Sequence, residues 1–133
     1  MKLLFICSQN RLRSLTAETI FDGVGGHQVR SAGTEAGARV RVTAGHLGWA
    51  DLIFVMEKRH LDRLRKKFPD ALGQTRIITL HIPDDYDYMD EQLIDRLRTG
   101  VHPYVDWGEI GYLENELGRD DMRPDEQRQR PDF

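Results

Sequence analysis

Lys2-Leu3-Leu4-Phe5-Ile6-Cys7-Ser8-Gln9-Asn10-Arg11-Leu12-Arg13-Ser14 is the stretch on which the reading of the fold turns. Lys2 to Ile6 is a short, bulky, apolar run without polar alternation, the pattern of a central parallel strand covered on both faces. It stops at a polar segment. Ser14 then stands where a helix N-cap would, with Glu18 in the following turn, and Ala17, Ile20, Phe21 and Val24 recur at helical spacing until Gly23, Gly25 and Gly26 end the pattern. The opening therefore predicts strand, polar loop, helix.

Outward from there the alternation continues. His27 to Ser31 predicts a second strand that ends in Ala32-Gly33-Thr34. Glu35 to Gly48 is weakly periodic and predicts one short helix at most. Leu52 to Met56 predicts a third strand. A basic helix follows from about Lys58 to Phe68, with Leu61, Leu64 and Phe68 on one face and Pro69 and Gly73 closing it. Arg76 to Ile82 reads as a fourth strand ended by Pro83, and the acidic loop 84–90 leads into a last helix from Asp90 to Val101 that buries Leu93, Ile94, Leu97 and Val101. Strands alternating with helices imply right-handed crossovers, so the expected fold class is α/β, a three-layer αβα arrangement with a four-stranded parallel sheet in order 2-1-3-4.

With 133 residues, one domain is the expectation, spanning 1–105, with residues 106–133 as a charged tail. That tail is too poor in apolar residues to hold itself in place, and is expected to be disordered or docked through Trp107, Ile110, Tyr112 and Leu113. A 39% hydrophobic and 31% charged composition describes a soluble chain, and no apolar run nears the roughly 18 residues of a membrane helix. Met1 to Ile6 is too short for the core of a signal peptide. A single cysteine cannot form an internal disulfide or a cysteine cluster around zinc, which suits a reducing cytoplasm and no metal or other cofactor. The net charge of −3 speaks against nucleic acid as a partner, although basic residues gather at 58–60 and 63–67.

The chemistry is expected in the loop. A short turn between a strand end and a helix start aims backbone N–H groups at one point, and the helix N-terminus adds its positive end. That point binds an anion. A thiol in such a place loses its proton more readily, and the thiolate is the nucleophilic form. Arg13 can offer two parallel N–H donors to phosphate oxygens. A lone cysteine at a strand end is most often inert packing, but packing needs no arginine, asparagine and serine beside it. Asn10 tolerates left-handed backbone, and Ser14 can donate to the sulfur as a leaving thiolate forms. Ser8, Gln9, Asn10, Arg11, Leu12, Arg13 and Ser14 are the expected phosphate-binding loop. Arg11 reads equally well as a surface charge.

These residues resemble the low-molecular-weight protein tyrosine phosphatases, whose signature is C-x5-R-S after the first strand. The likeness extends to Ala17-Glu18, to Ser31-Ala32-Gly33-Thr34 and to Ala50-Asp51-Leu52-Ile53-Phe54-Val55-Met56, and covers roughly residues 1 to 103. It implies in-line attack by Cys7, a phosphocysteine intermediate and an aspartic acid that protonates the leaving phenol. The family places that acid after the fourth strand, usually as Asp-Pro followed by aromatics. Here the loop reads Pro83-Asp84-Asp85-Tyr86-Asp87-Tyr88, which makes Asp84 the first candidate, Asp85 the second and Asp87 a weaker third. General acid work needs a protonated carboxyl, a state favoured by a bound dianion and neighbouring carboxylates. Tyr86 and Tyr88 fit a cleft border or core packing equally well.

The chain also departs from the family pattern. The stretch from Thr34 to Ala50 is short, Leu12 stands where many members have a second cysteine, and Leu15 where proline is frequent. Without the second cysteine, an oxidised Cys7 depends on an external thiol. The expected function is hydrolysis of phosphate monoesters, phosphotyrosine in proteins first among them, with a phosphorylated protein or small aryl phosphate as partner. A phosphate-binding module without turnover ranks second and a single-cysteine arsenate reductase third.

Overall fold

The computed structural model describes residues 1–108. These fall into two compact units, Met1–Val101 and a second beginning at His102, of which a 3-10 turn at His102–Tyr104 is described. The first unit holds the whole sheet. Beyond Trp107 and Gly108, the expected docking residues Ile110, Tyr112 and Leu113 lie outside the described residues.

Four parallel strands, β1 (Lys2–Cys7), β2 (Gln28–Gly33), β3 (Leu52–Val55) and β4 (Arg76–Thr79), stand in the order β2-β1-β3-β4. Central β1 faces apolar neighbours on both sides, which is why its sequence carries no polar alternation. Side chains of a strand alternate between faces. Leu4 and Ile6 therefore join Ile53 and Val55 in one core, closed by Leu47, Leu64 and Leu72 from three helices, α2 (Ala44–Trp49), α3 (Lys58–Lys67) and α4 (Pro69–Leu72). On the other face Phe5 stacks between Phe54, at 5.0 Å, and Phe21, at 5.6 Å. Phe21 ends α1 (Arg13–Phe21), which packs beside α5 (Glu91–Val101), whose Leu93, Leu97 and Val101 are fully buried. The three-layer α/β fold and its strand order are those expected from the sequence.

Several boundaries differ, each for a local reason. Ser14 is not the N-cap of α1, because Leu12 is, and Ser14 is turned inward within the first turn. Val24 falls outside α1 in a 3-10 turn, since Gly23 and Gly25 adopt left-handed geometry. Pro69 does not end helical structure but starts α4, where its missing N–H costs nothing at the first position. Strand β4 stops at Thr79, yet the chain keeps alongside β3, as the amides of Leu80 and Ile82 donate to the carbonyls of Val55 and Met56 at 2.9 Å each.

Two of the segments singled out in the sequence meet on the Phe5 face of the sheet. Ser31 donates to the Glu18 carboxylate at 2.6 Å, tying β2 to α1. At the end of β2 the backbone approaches the first loop so closely that a Cβ on Gly33 would stand 2.5 Å from the Ser8 carbonyl oxygen and 2.6 Å from Ala38 Cβ. Gly33→Ala is accordingly expected to destabilise the protein by about 1–3 kcal/mol, read as a lowered denaturation midpoint at unchanged slope. An unchanged midpoint would mean that the segment after β2 does not press on the loop.

Candidate active site

The loop from Ser8 to Leu12 leaves β1 at its carboxyl end and enters α1 at Arg13, the edge of an α/β sheet where ligands are usually bound. Its carbonyls are tied off on the outside. The Cys7 and Ser8 carbonyls accept from the amides of Thr34 and Glu35 at 3.0 Å each, and the Gln9 carbonyl from Arg39 at 2.9 Å. The Asn10 carbonyl accepts from Arg39 Nε at 3.1 Å, and the Leu12 carbonyl from the Thr16 amide and hydroxyl at 2.9 and 2.6 Å. Because a peptide's N–H points opposite to its C=O, the amides of Ser8 to Arg11 and of Arg13, which share their peptide groups with these carbonyls, are turned to the inside of the loop. They donate to no group among the described residues. Asn10 makes this path possible at φ 56°, the left-handed region that asparagine tolerates.

At the base of this ring lies Cys7, 3% exposed, with Ser14 Oγ 3.0 Å from its sulfur. Asn10 Nδ2 donates to Ser14 Oγ at 2.7 Å, so the serine oxygen is already an acceptor and its own hydrogen is available to the sulfur. The competing acceptor, the Ala32 carbonyl, is 3.5 Å away, at the limit of a hydrogen bond. Asn10 Oδ1 is buried without a partner among the described residues.

Arg13 is 2% exposed and held by one end. Its Nη1 donates to Glu57 Oε1 and to the Ile82 carbonyl, both at 2.9 Å, which leaves the Nε–Nη2 edge available for two parallel bonds to an oxyanion. Glu57 is also bound by Arg59 at 2.7 Å. Burial works to raise the Glu57 carboxyl pKa, and hydrogen bonds and charge from Arg13 and Arg59 outweigh it, so the group lies below the ordinary carboxylate range. Glu57 thus stays anionic and keeps its grip on Arg13.

Among the candidate acids, Asp84 Oδ1 stands 3.8 Å from Arg13 Nε. Asp85 is exposed and makes no ion pair among the described residues. Asp87 uses its carbonyl to receive the Asp90 amide. The two tyrosines are anchored to the scaffold. Tyr86 accepts from Arg96 on α5 at 3.1 Å, and the Tyr88 hydroxyl lies 3.0 Å from Thr19 on α1. Gln9, Arg11 and Leu12 are exposed on the loop, and Arg11 donates to the Gly37 carbonyl at 3.3 Å.

Sequence reasoning missed Glu57, His60 and the Ile82 carbonyl. A signal was present for Glu57, since Met56-Glu57 ends the strand next to β1 and must lie beside the loop. Ser8 Oγ is bonded to His60 Nε2 at 2.9 Å, while His60 Nδ1 accepts the Glu57 amide at 3.1 Å. Nδ1 being the acceptor, the ring proton is on Nε2, and it is Ser8 that accepts. Burial first, then the charges of Arg13, Arg59 and Arg63 against the opposing pull of Glu57, lower the His60 pKa to about 4. One neutral imidazole thereby fastens the start of the loop to the residue that holds its end.

No family model and no curated protein matches the chain. Solved structures do. The tyrosine phosphatase Wzb from Escherichia coli K30, in complex with phosphate, superposes with a TM-score of 0.63 at 23% identity over 77% of this chain and 94% of that one. SP-PTP, a low molecular weight protein tyrosine phosphatase from Streptococcus pyogenes, gives 0.66 at 14% identity over 84% and 97%. The YwlE arginine phosphatase from Geobacillus stearothermophilus gives 0.53 at 22% identity over 79% and 97%. The chain has the fold of these phosphatases, as the sequence resemblance implied.

The His60 arrangement sets a pH dependence of stability. An unfolded histidine takes up its proton near pH 6.5, the folded one only near 4. The unfolded state binds more protons between these values, so this contribution is complete above about 6.5 and is lost as pH falls toward 4, by up to about 1.4 kcal/mol per unit. His60→Gln should flatten the fall of Tm across that window. Curves of equal slope for the parent and the variant would contradict the assignment of a neutral, buried His60.

Proposed function

We propose that the protein is a cysteine-dependent phosphatase of the low-molecular-weight type, hydrolysing phosphate monoesters, with phosphotyrosine in proteins as its substrate class. The observation that carries this reading is a loop after Cys7 whose carbonyls are tied off outward, with Arg13 held through Nη1 and a Ser14 hydroxyl 3.0 Å from the Cys7 sulfur. Ring and guanidinium together match the three non-bridging oxygens of a phosphoryl group. The fold shared with solved phosphatases supports the same reading. A pure phosphate binder has no use for a sulfur served by Ser14, nor for a carboxylate beside the arginine. An arsenate reductase of the thioredoxin-linked kind needs further cysteines, and Cys7 stands alone in the sequence.

The reaction balances in two steps. Cys7 sulfur, as thiolate, attacks phosphorus in line with the ester oxygen, so that an S–P bond forms as the P–O bond breaks. Asp84, standing beside the Arg13 edge, gives its proton to the departing oxygen. The same carboxylate then takes a proton from water as the water oxygen attacks phosphorus and the sulfur leaves. Ser14 donates to the thiolate at that moment, across the 3.0 Å contact. Arg13 and the loop amides hold the phosphoryl oxygens throughout. Asp84 is assigned as the acid because its carboxyl reaches this edge and that of Asp85 does not.

No helix among the described residues is long and apolar enough to cross a membrane. A lone thiol nucleophile works best where external thiols keep it reduced, so we place the protein in the cytoplasm, acting without cofactor, nucleic acid or membrane.

Cys7→Ser should abolish turnover of an aryl phosphate, and rapid quench of the parent should trap phosphocysteine. Retained turnover in the variant would refute the nucleophile. Asp84→Asn should slow a poorly leaving alkyl or phenyl ester by about 10²-fold or more, while sparing a well-leaving nitrophenyl ester, and Asp85→Asn should do little to either. The opposite ranking would move the acid to Asp85. Preference for phosphoarginine over phosphotyrosine would refute the substrate class and leave the mechanism standing.

A further inference from the structure

A cleft of about 620 Å³ opens beside the loop rather than over Cys7, between the segment after β2 and α3. Its rim carries Arg41, Arg63, Lys66 and Lys67 against a single carboxylate, Glu35. Glu35 is already engaged by Arg63 at 3.0 Å, and Arg41 and Lys66 make no ion pair among the described residues. On a chain whose net charge is −3, this is a local excess of positive charge. The floor is different in kind: Leu64 is buried and Phe68 partly so. The size is that of a cleft able to enclose a few side chains.

Its position ties it to the proposed reaction. Thr34 and Glu35, which form one wall, are the residues whose amides hold the Cys7 and Ser8 carbonyls at 3.0 Å. The wall of the cleft is therefore the outer brace of the phosphate ring. A substrate chain whose phosphorylated side chain enters the ring therefore has this wall as its neighbour.

We propose that this cleft binds an acidic stretch of the polypeptide substrate flanking the phosphorylated residue, an inference that rests on the phosphatase reading above. Unpaired cations attract a negatively charged segment and raise its encounter rate and affinity. The apolar floor takes the stems and apolar neighbours of that segment. A nucleic acid fits less well. It calls for a continuous basic track with exposed aromatic platforms, whereas here a carboxylate interrupts the rim and the one aromatic, Phe68, is already covered by Lys67 at 5.8 Å. The interaction is equally strong before and in the transition state, so its effect falls on KM and leaves kcat unchanged.

The test uses two fluorescein-labelled phosphotyrosine peptides of equal length, one flanked by glutamates and one by serine and alanine, with a small aryl phosphate as control. The acidic peptide is expected to show a KM about tenfold or more below that of the neutral one. That advantage should shrink with added salt, and should vanish in the double variant Lys66→Glu, Lys67→Glu, which keeps full turnover of the aryl phosphate. Equal KM values for both peptides with aryl phosphate turnover intact would overturn the cleft assignment and leave the phosphatase. Absence of all turnover, while anisotropy still shows tighter binding of the acidic peptide, would overturn the phosphatase reading on which the inference rests. A single-stranded oligonucleotide of matched charge that outcompetes the acidic peptide would overturn the choice of polypeptide. Thermal denaturation of the double variant at the parent's Tm separates any loss of binding from misfolding.

Discussion

The site depends on where the carbonyls of a single loop are sent. A peptide group cannot turn its oxygen outward without turning its hydrogen inward, and the carbonyls of residues 7 to 10 are all claimed by the segment 34–39. Buried amides left without partners are costly, so a loop braced in this way has a standing demand for an anion. The parallel pairing of β1 with β2 delivers that segment to the right place, because the register that sets Cys7 against Gly33 carries Thr34 and Glu35 directly past Cys7 and Ser8. The absence of a side chain at Gly33 lets the two backbones close to this distance. Fold and site are in this sense one constraint: the same sheet register that fills the core also points the amides.

Two further attachments keep the geometry from relaxing. Arg13 would gain freedom and solvation by swinging out, but Glu57 and the Ile82 carbonyl hold its Nη1 from two sides. His60 joins this bracket to the other end of the loop through Ser8 and the Glu57 amide. Glu57 lies just beyond the carboxyl end of β3, His60 in the first turn of α3 that follows it, and Ile82 in the chain running on from β4, next to the carboxyl end of β1. A doubly wound parallel sheet brings such ends together without requiring them to be close in sequence. The left-handed backbone at Asn10 and its Oδ1, without a partner among the described residues, sit at the centre of this bracing, where surrounding structure can sustain the cost.

How much of this was legible in the sequence follows from the range of each interaction. The bulky run before Cys7 and the apolar run at Leu52 announced buried parallel strands, and the C-x5-R-S spacing announced the loop, because those signals are local. The two halves of the Ser31–Glu18 contact were visible as separate segments, but not their pairing. Ser14 was misplaced as an N-cap for an instructive reason. A serine at a helix start reads as a cap, and this one is instead drawn inward by Asn10 and the Cys7 sulfur, partners that only the folded loop supplies. Glu57 was placed beside the loop by the expected strand order, but its grip on Arg13 was not visible, and His60 left no recognisable motif, since a histidine on a charged helix looks like a solvated face. The roles of Asp84 and Asp85 were open for the same reason. A shift of one residue in an irregular loop decides which carboxyl meets Arg13, and no periodicity encodes it.

The central claim is that the amides of Ser8 to Arg13 form the anion site, and backbone resonances report on it directly. Inorganic phosphate titrated into the 15N-labelled Cys7→Ser protein should shift the amide signals of residues 8 to 13 saturably downfield, as each gains a charged acceptor. Arg13 Nε should move with them at the same dissociation constant. Shifts confined to other surfaces, with the loop amides unmoved at saturating phosphate, would contradict the account.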